Sequence, residues 1–483
     1  MKGEVTGVLQ KLRVDSTSRA AIAFLAVAPL IGALLAWLLG NAQLYMPFTY
    51  GEIVSILLVW ACCLWPVAWR WLQGKFEPFE PVHAIGFATL VYFGLAPALL
   101  AAQNRFVLVG IDYRNELAKT MNYAAVALLS FQVGYFSLRR LHVRLPDWLT
   151  CPNPVAMRRA TVATVIAFSG MAVAWLALGR VPTRALNVFS PGVYYSTWAE
   201  ELVANQGISV GYFYVAREAL IAVALLLLVN HRGFGRLSGA VLLAVLAMLF
   251  FGMGWRHGIL VIVLALVILY YVRQGKRPSL WLLAGGGALY LYYVAGLLGF
   301  VRSTEYKLEA GYSVSTAYDA TLSSLGIAIP MAALLRYVPG MIPFRYGTTL
   351  LKVFTQPIPR ALWPQKPAFI GWEPLQPYWT EGAAVPIWGE FYFNFGLLGV
   401  IASMLLWGCL AKVVYILWKR YPDSVVLQVS FALFFPLLIR SYGRGDFASI
   451  VSMLAIYLLP VLIPALLARA SVGQAKPEPE PRP

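Results

Sequence analysis

Apolar runs long enough to cross a bilayer return along the chain from Ala20 to Ala468 with few interruptions. A helix rises about 1.5 Å per residue, so about 20 apolar residues match the roughly 30 Å hydrocarbon layer. Within that layer every backbone N–H and C=O must be satisfied inside the protein, which leaves helices and closed barrels as the spanning structures. Runs of this length select helices. Composition follows the same pattern: of 483 residues 60% are hydrophobic and 12% charged. The mean hydropathy of +0.69 lies outside the usual range of soluble domains. The chain reads as an all-α polytopic membrane protein with no separate soluble domain.

The spacing predicts spans at 20–40, 52–72, 81–102, 121–138, 160–179, 210–230, 237–254, 258–272, 279–301, 386–418, 423–440 and 446–468. That makes about twelve helices. The first run, Ala20 to Leu39, is too long for the apolar core of a cleavable signal and no small-residue cleavage pattern follows it, so it reads as the first span. Alternate loops carry basic clusters: Lys11, Arg13 and Arg19; Arg139, Arg140, Arg144, Arg158 and Arg159; Arg273, Lys276 and Arg277; Lys419 and Arg420. The positive-inside rule makes these loops and both termini cytoplasmic. Four regions result: transmembrane helices over 1–301, a large periplasmic loop over 302–385, further transmembrane helices over 386–468, and a Pro- and charge-rich tail over 469–483 that reads as disordered. In the large loop, YVPGMIP at 337–343 breaks regular helix, and TLSSLGIAIPMAALL at 321–335 reads as a short helix in the interface or dipping into the membrane.

The net charge of +17 does not point to nucleic acid, because the basic residues stand mostly singly at the ends of apolar runs. Cys62 and Cys63 lie inside an apolar run, and Cys151 and Cys409 fall in or near the cytoplasmic side, so no disulfide framework is expected.

Outward segments should be poor in cations. Here they hold Arg180, Arg184, Arg256, Arg302, Lys307, Arg336, Arg345, Lys352, Arg360, Lys366, Arg440 and Arg444. Arg184, Lys307, Arg345 and Lys352 read either as cations that snorkel to the headgroups or as part of the same outward excess. Arg256, in GMGWRHG, and Arg440 with Arg444, in LIRSYGRGD, stand between apolar runs with no room for a long loop. A charge at the centre of a membrane helix costs about 2.5–3.5 kcal/mol, so such residues need partners. Two readings stay open: pairing with Glu218, Glu390 or Asp446, or binding of an anionic ligand. Arginine grips phosphate oxygens bidentately, which makes a diphosphate the natural guest.

The stretch PIPRALWPQKP at 357–367 fits the second reading. Its prolines lower the entropy lost on ordering and would hold Arg360 and Lys366 over the membrane surface. Trp363 and Trp372 suit either an interfacial aromatic belt or stacking on a sugar face.

No P-loop, dinucleotide fingerprint, HExxH or CxxC spacing occurs, and His83, His142, His231 and His257 are scattered. The first outward loop, NAQLYMPFTYG, lacks the acidic pair that holds a divalent cation in many polyprenyl-phosphate glycosyltransferases. Metal-independent chemistry without a cofactor is expected. Outer acids able to take a proton are Glu305, Glu381, Glu390 and Asp446, with His257 as the only outside histidine. Glu390 stands where PIWGEFYFNFGLLG enters an apolar helix, a placement that suits either a general base or the partner of an arginine.

The order GWRHG, FVRS, PIPRALWPQKP, GEFYFNFGLLG resembles the Wzy-type oligosaccharide repeat-unit polymerases of bacterial O-antigen and exopolysaccharide synthesis, GT-C-like polytopic membrane glycosyltransferases. The resemblance covers roughly 160–450. It implies an inner-membrane enzyme facing the periplasm that joins undecaprenyl-diphosphate-linked glycans without nucleotide or metal, with a chain-length regulator as a further partner. On this chain it assigns Glu390, Arg360 and Arg440 to catalysis, Arg256, Arg302, Lys366 and Arg444 to the lipid diphosphate, and leaves Trp363 and Trp372 for the sugar. An R-x10-G pattern discussed for such polymerases runs from Arg336 to Gly347. An O-antigen ligase acting on lipid A core, or a transporter or flippase of an anionic glycolipid, fits the same features.

Overall fold

The structure, a computed structural model, describes residues 48–103, 105–138, 144–177, 211–252, 255–290, 296, 321–322, 325–355, 358, 362–363, 365, 372–378, 384–443 and 445–473. The expected span at 20–40, the loop at 180–209, and Arg302, Arg360, Lys366 and Arg444 lie outside the described residues. So does most of the expected tail.

The described chain is mostly helical. Helix α1 is Tyr50–Leu72, opened by a capping box in which Thr49 and Glu52 bond each other's backbone N–H. Next come α2 (Pro81–Thr89), a π-helical turn (Leu90–Leu95) and α3 (Ala96–Ala102), together one continuous rod. A two-residue antiparallel ribbon, β1 (Val107–Leu108) with β2 (Ile111–Asp112), is a small departure from the expected all-helical chain. Then follow α4 (Leu117–Ser137), α5 (Asp147–Thr150), α6 (Pro154–Ala177), α7 (Gly211–Asn230), α8 (Phe234–Gly252), α9 (Arg256–Gln274) and α10 (Leu280–Leu289). The last group is α11 (Ala328–Tyr337), α12 (Lys352–Thr355), α13 (Ile387–Arg420), α14 (Val425–Gly443) and α15 (Phe447–Gly473).

Among the described residues seven helices are long and apolar enough to cross a membrane: Tyr50–Leu72, Pro81–Ala101, Phe234–Phe251, Arg256–Gln274, Ile387–Arg420, Val425–Gly443 and Phe447–Ala470. Each stands within a few residues of an expected span. Helices α4, α6 and α7 occupy the expected positions 121–138, 160–179 and 210–230, and α4 carries polar residues such as Lys119, Asn122 and Gln132.

Two apolar cores form. One gathers α1, α2, α4, α11 and the upper part of α13, and the other gathers α7, α8, α9 and α15. Helix α14 feeds both, with Phe434, Leu438 and Tyr442 in the first and Val426, Val429 and Leu433 in the second. It is accordingly the most buried of the seven. Between α4 and α13 the backbones nearly touch: a Cβ added at Gly134 would lie 2.0 Å from the Leu405 carbonyl oxygen, and one at Gly408 would lie 2.1 Å from that of Phe131. Small residues permit this approach, which membrane helices use in place of a hydrophobic driving force.

Of the expected helix over 321–335, the segment from Ala328 on forms α11. In α11 all residues but Ile329 and Arg336 are buried, packed against α4 and α13. Pro330 falls in its first turn, where a missing N–H breaks no helical bond, so the proline starts the helix and does not divide it.

Candidate functional site

Helix α13 is broken. Gly396 has φ 64° and ψ −151°, a conformation closed to residues with a Cβ, so the chain turns there and starts a second helical segment. A break inside a membrane frees carbonyls that the bilayer cannot satisfy. The turn after α11 supplies the donors: Arg345 N–H bonds the Phe393 carbonyl at 3.0 Å and Tyr346 N–H the Asn394 carbonyl at 3.2 Å. The Asn394 side chain completes the clamp, accepting from Gly347 N–H at 2.7 Å and donating to the Thr349 hydroxyl at 2.6 Å and the Glu390 carbonyl at 2.9 Å. The N-F-G of the motif is thus a hinge and its latch.

Glu390, in the first turn of α13, is fully buried. Its Oε2 accepts from the Phe447 N–H at 2.5 Å, at the start of α15, where a carboxylate is favoured by the helix dipole. The Thr349 hydroxyl stands beside the carboxyl, while Oε1 makes no hydrogen bond of regular geometry. Asp446 caps α15 through Ser449 N–H at 2.7 Å and pairs with Lys352 of α12 at 3.0 Å. Lys352, expected to snorkel, is therefore the partner of an acid, and Asp446 spends its charge there.

On the far side of the α14–α15 corner lies a second buried polar group. Arg217, 1% exposed, donates to Glu218 Oε1 at 3.0 Å and stacks over Phe250 at 4.4 Å and Trp255 at 5.2 Å. Tyr457 of α15 donates to Glu218 Oε2 at 2.5 Å. Arg256 and His257 open α9 immediately after Trp255, and the Tyr290 hydroxyl donates to the Arg256 carbonyl at 3.1 Å. Arg440, in the last turn of α14, is within electrostatic reach of both His257 and Tyr457. Its Nε also approaches Gly445, where an added Cβ would sit 3.9 Å away, and Gly445 N–H bonds the Val385 carbonyl just before α13. Arg440 thus faces His257 and Tyr457 and also approaches Gly445, the residue before Asp446 in the chain.

Of the nine residues expected to form a site, five are described. Glu390, Arg256 and Arg440 come to this end of the bundle on three helices. Trp372 does not offer a stacking face: it is 8% exposed, with its ring 4.9 Å from that of Phe393. Burial there serves packing, which leaves Trp363, 36% exposed, as the open aromatic of the pair. Arg336 also has a local task, since its Nη1 donates to the Asp112 carbonyl at 2.9 Å and ties α11 to the ribbon. The R-x10-G pattern therefore spans a structural clamp and a turn. Arg217 was missed by the sequence reading, although an Arg-Glu dipeptide inside the apolar run YVAREALIAVALLLLV is a signal in itself. Compared with family models, curated proteins and solved structures, the chain matches none.

Proposed function

We propose that the chain is a polymerase of lipid-linked glycan repeat units, a twelve-span protein of the bacterial inner membrane with cytoplasmic termini and its site facing the periplasm. In this reading it is a Wzy-type glycosyltransferase whose donor is an undecaprenyl-diphosphate-linked chain and whose acceptor is a sugar hydroxyl of the incoming unit. The observation that supports it best is Arg440, within electrostatic reach of His257 and Tyr457 and close to Gly445, on a helix whose neighbour α13 carries the fully buried carboxylate Glu390. A fixed guanidinium can stabilise the charge that develops on a departing diphosphate, and a desolvated carboxylate can take the proton of the attacking hydroxyl. Arg256, Arg302, Lys366 and Arg444 would complete the diphosphate cradle, Arg360 would act beside Arg440, and Trp363 would stack on sugar.

The test is elongation of a synthetic undecaprenyl-diphosphate-linked repeat unit by purified protein, with and without chelator. Polymer formation is the expected result, and Arg440→Ala and Arg360→Ala abolish it while still inserting normally. Unaltered polymer length in both variants overturns the assignment. Transfer to lipid A core without elongation would identify a ligase. The broken α13 favours a second reading, transport of an anionic glycolipid, because discontinuous helices line midplane sites in transporters. Repeat units stranded on the cytoplasmic leaflet after gene deletion would establish that reading.

A further inference from the structure

The opposite end of the bundle, where α1, α4 and α13 finish, holds a cavity of about 530 Å³ lined by Trp65, Trp69, Arg70, Phe136, Leu138 and Lys412. We infer that this cavity binds the phosphate of an anionic phospholipid, held by Arg70 and Lys412 with its apolar tails against the tryptophans.

Charge makes the first argument. Glu80, 3% exposed in its side chain, faces both cations, with Arg70 Nη2 at 2.8 Å and Lys412 Nζ at 3.9 Å from the same Oε1. That oxygen also accepts from the Tyr135 hydroxyl at 3.1 Å. Glu77, in the same turn as Glu80, is taken by Lys419 at 2.7 Å and by the Tyr415 hydroxyl at 2.5 Å. At the cavity two cations, Arg70 and Lys412, therefore meet one carboxylate, and Arg70 Nε is buried with no hydrogen-bond partner. Lys412 is held 4.4 Å from the ring centre of Tyr135, which fixes an ammonium at the cavity wall instead of letting it snorkel away.

Shape makes the second argument. Trp65 and Trp69 are 44% and 53% exposed on the outer side of α1, and Trp65 Nε1 is anchored to Gln132 Oε1 at 2.7 Å, an arrangement suited to headgroup depth. Basic pockets between membrane helices beside basic loops are the setting in which anionic headgroups are recognised. Arg144 stands just before α5, and α13 ends in Lys419 and Arg420. This inference does not depend on the glycosyltransferase reading, because the cavity lies at the end away from Glu390.

The test uses the full-length protein in detergent, titrated with dioleoyl phosphatidylglycerol or dioleoyl phosphatidylcholine and read by native mass spectrometry. Preferential retention of phosphatidylglycerol by wild type is expected, with Lys412→Gln weakening it about fivefold. Because Arg70→Gln alone would leave Glu80 short of a partner, the second variant is Arg70→Gln with Glu80→Gln, and it too is expected to lose the preference while keeping the wild-type melting temperature. Equal retention of both lipids, or a preference unchanged in both variants, overturns the assignment. Displacement of the lipid by millimolar inorganic phosphate would mark a site for free anions and overturn the lipid as occupant.

Discussion

Glu390 and Glu77 show how a carboxylate in a membrane protein is defined by its donors. Glu390→Gln keeps an acceptor for the Phe447 N–H and removes the charge. If the side chain takes a proton in the reaction, elongation falls by about 10²–10⁴-fold while the unfolding midpoint in detergent stays near that of wild type. Full activity in the variant removes Glu390 as base. Glu77 lies in the turn between α1 and α2. Burial alone would raise its pKa, but hydrogen bonds from Lys419 and Tyr415 outweigh burial and hold the carboxyl below its ordinary range. The stability it contributes is therefore in full force above the ordinary carboxylate pKa and is lost as pH falls through the lowered folded-state value. Melting temperatures measured from neutral to acid pH should drop in wild type, and Glu77→Gln should flatten that drop.

At the level of helices, the latch on α13 and the crossing of α4 over α13 carry the most consequence. Asn394 is fully buried and joins three partners, so Asn394→Ala leaves Gly347 N–H and the Thr349 hydroxyl short of a partner, at a cost of about 1–3 kcal/mol. Denaturation in mixed micelles should read that loss, accompanied by faster proteolysis of the 344–355 turn. At the crossing, Gly134→Leu drives a side chain into the Leu405 backbone, and the two helices must separate. Wild-type yield and melting temperature in that variant would contradict the close approach. The motif GEFYFNFGLLG marked this region from sequence, as a span over 386–418 with a carboxylate at its entry. The break was hidden because a lone glycine in an apolar run is common, and only φ above zero at Gly396 reveals that this one bends the chain.

Taken whole, the molecule has a basic end and, at the other, a buried ion pair, Arg217 with Glu218. Cys151 is exposed, whereas Cys62 and Cys63 are buried and Cys409 is half-buried, so a membrane-impermeant maleimide reports the side on which the α5–α6 turn lies. With the basic loops inside, labelling of intact cells is expected to be weak and to rise on permeabilisation. Strong labelling of intact cells would invert the topology. Membrane insertion, the placement of the described spans and the basic end follow from the order of residues alone, because length, hydropathy and loop charge are properties of short contiguous segments. The partner of each ion did not follow: Asp446 goes to Lys352, Glu218 to Arg217, and Trp372 to the core beside Phe393. Those choices depend on which helices become neighbours, and packing among segments far apart in sequence decides them, since a hydrogen-bonded ion pair or a ring contact forms only where the groups come within a few ångströms.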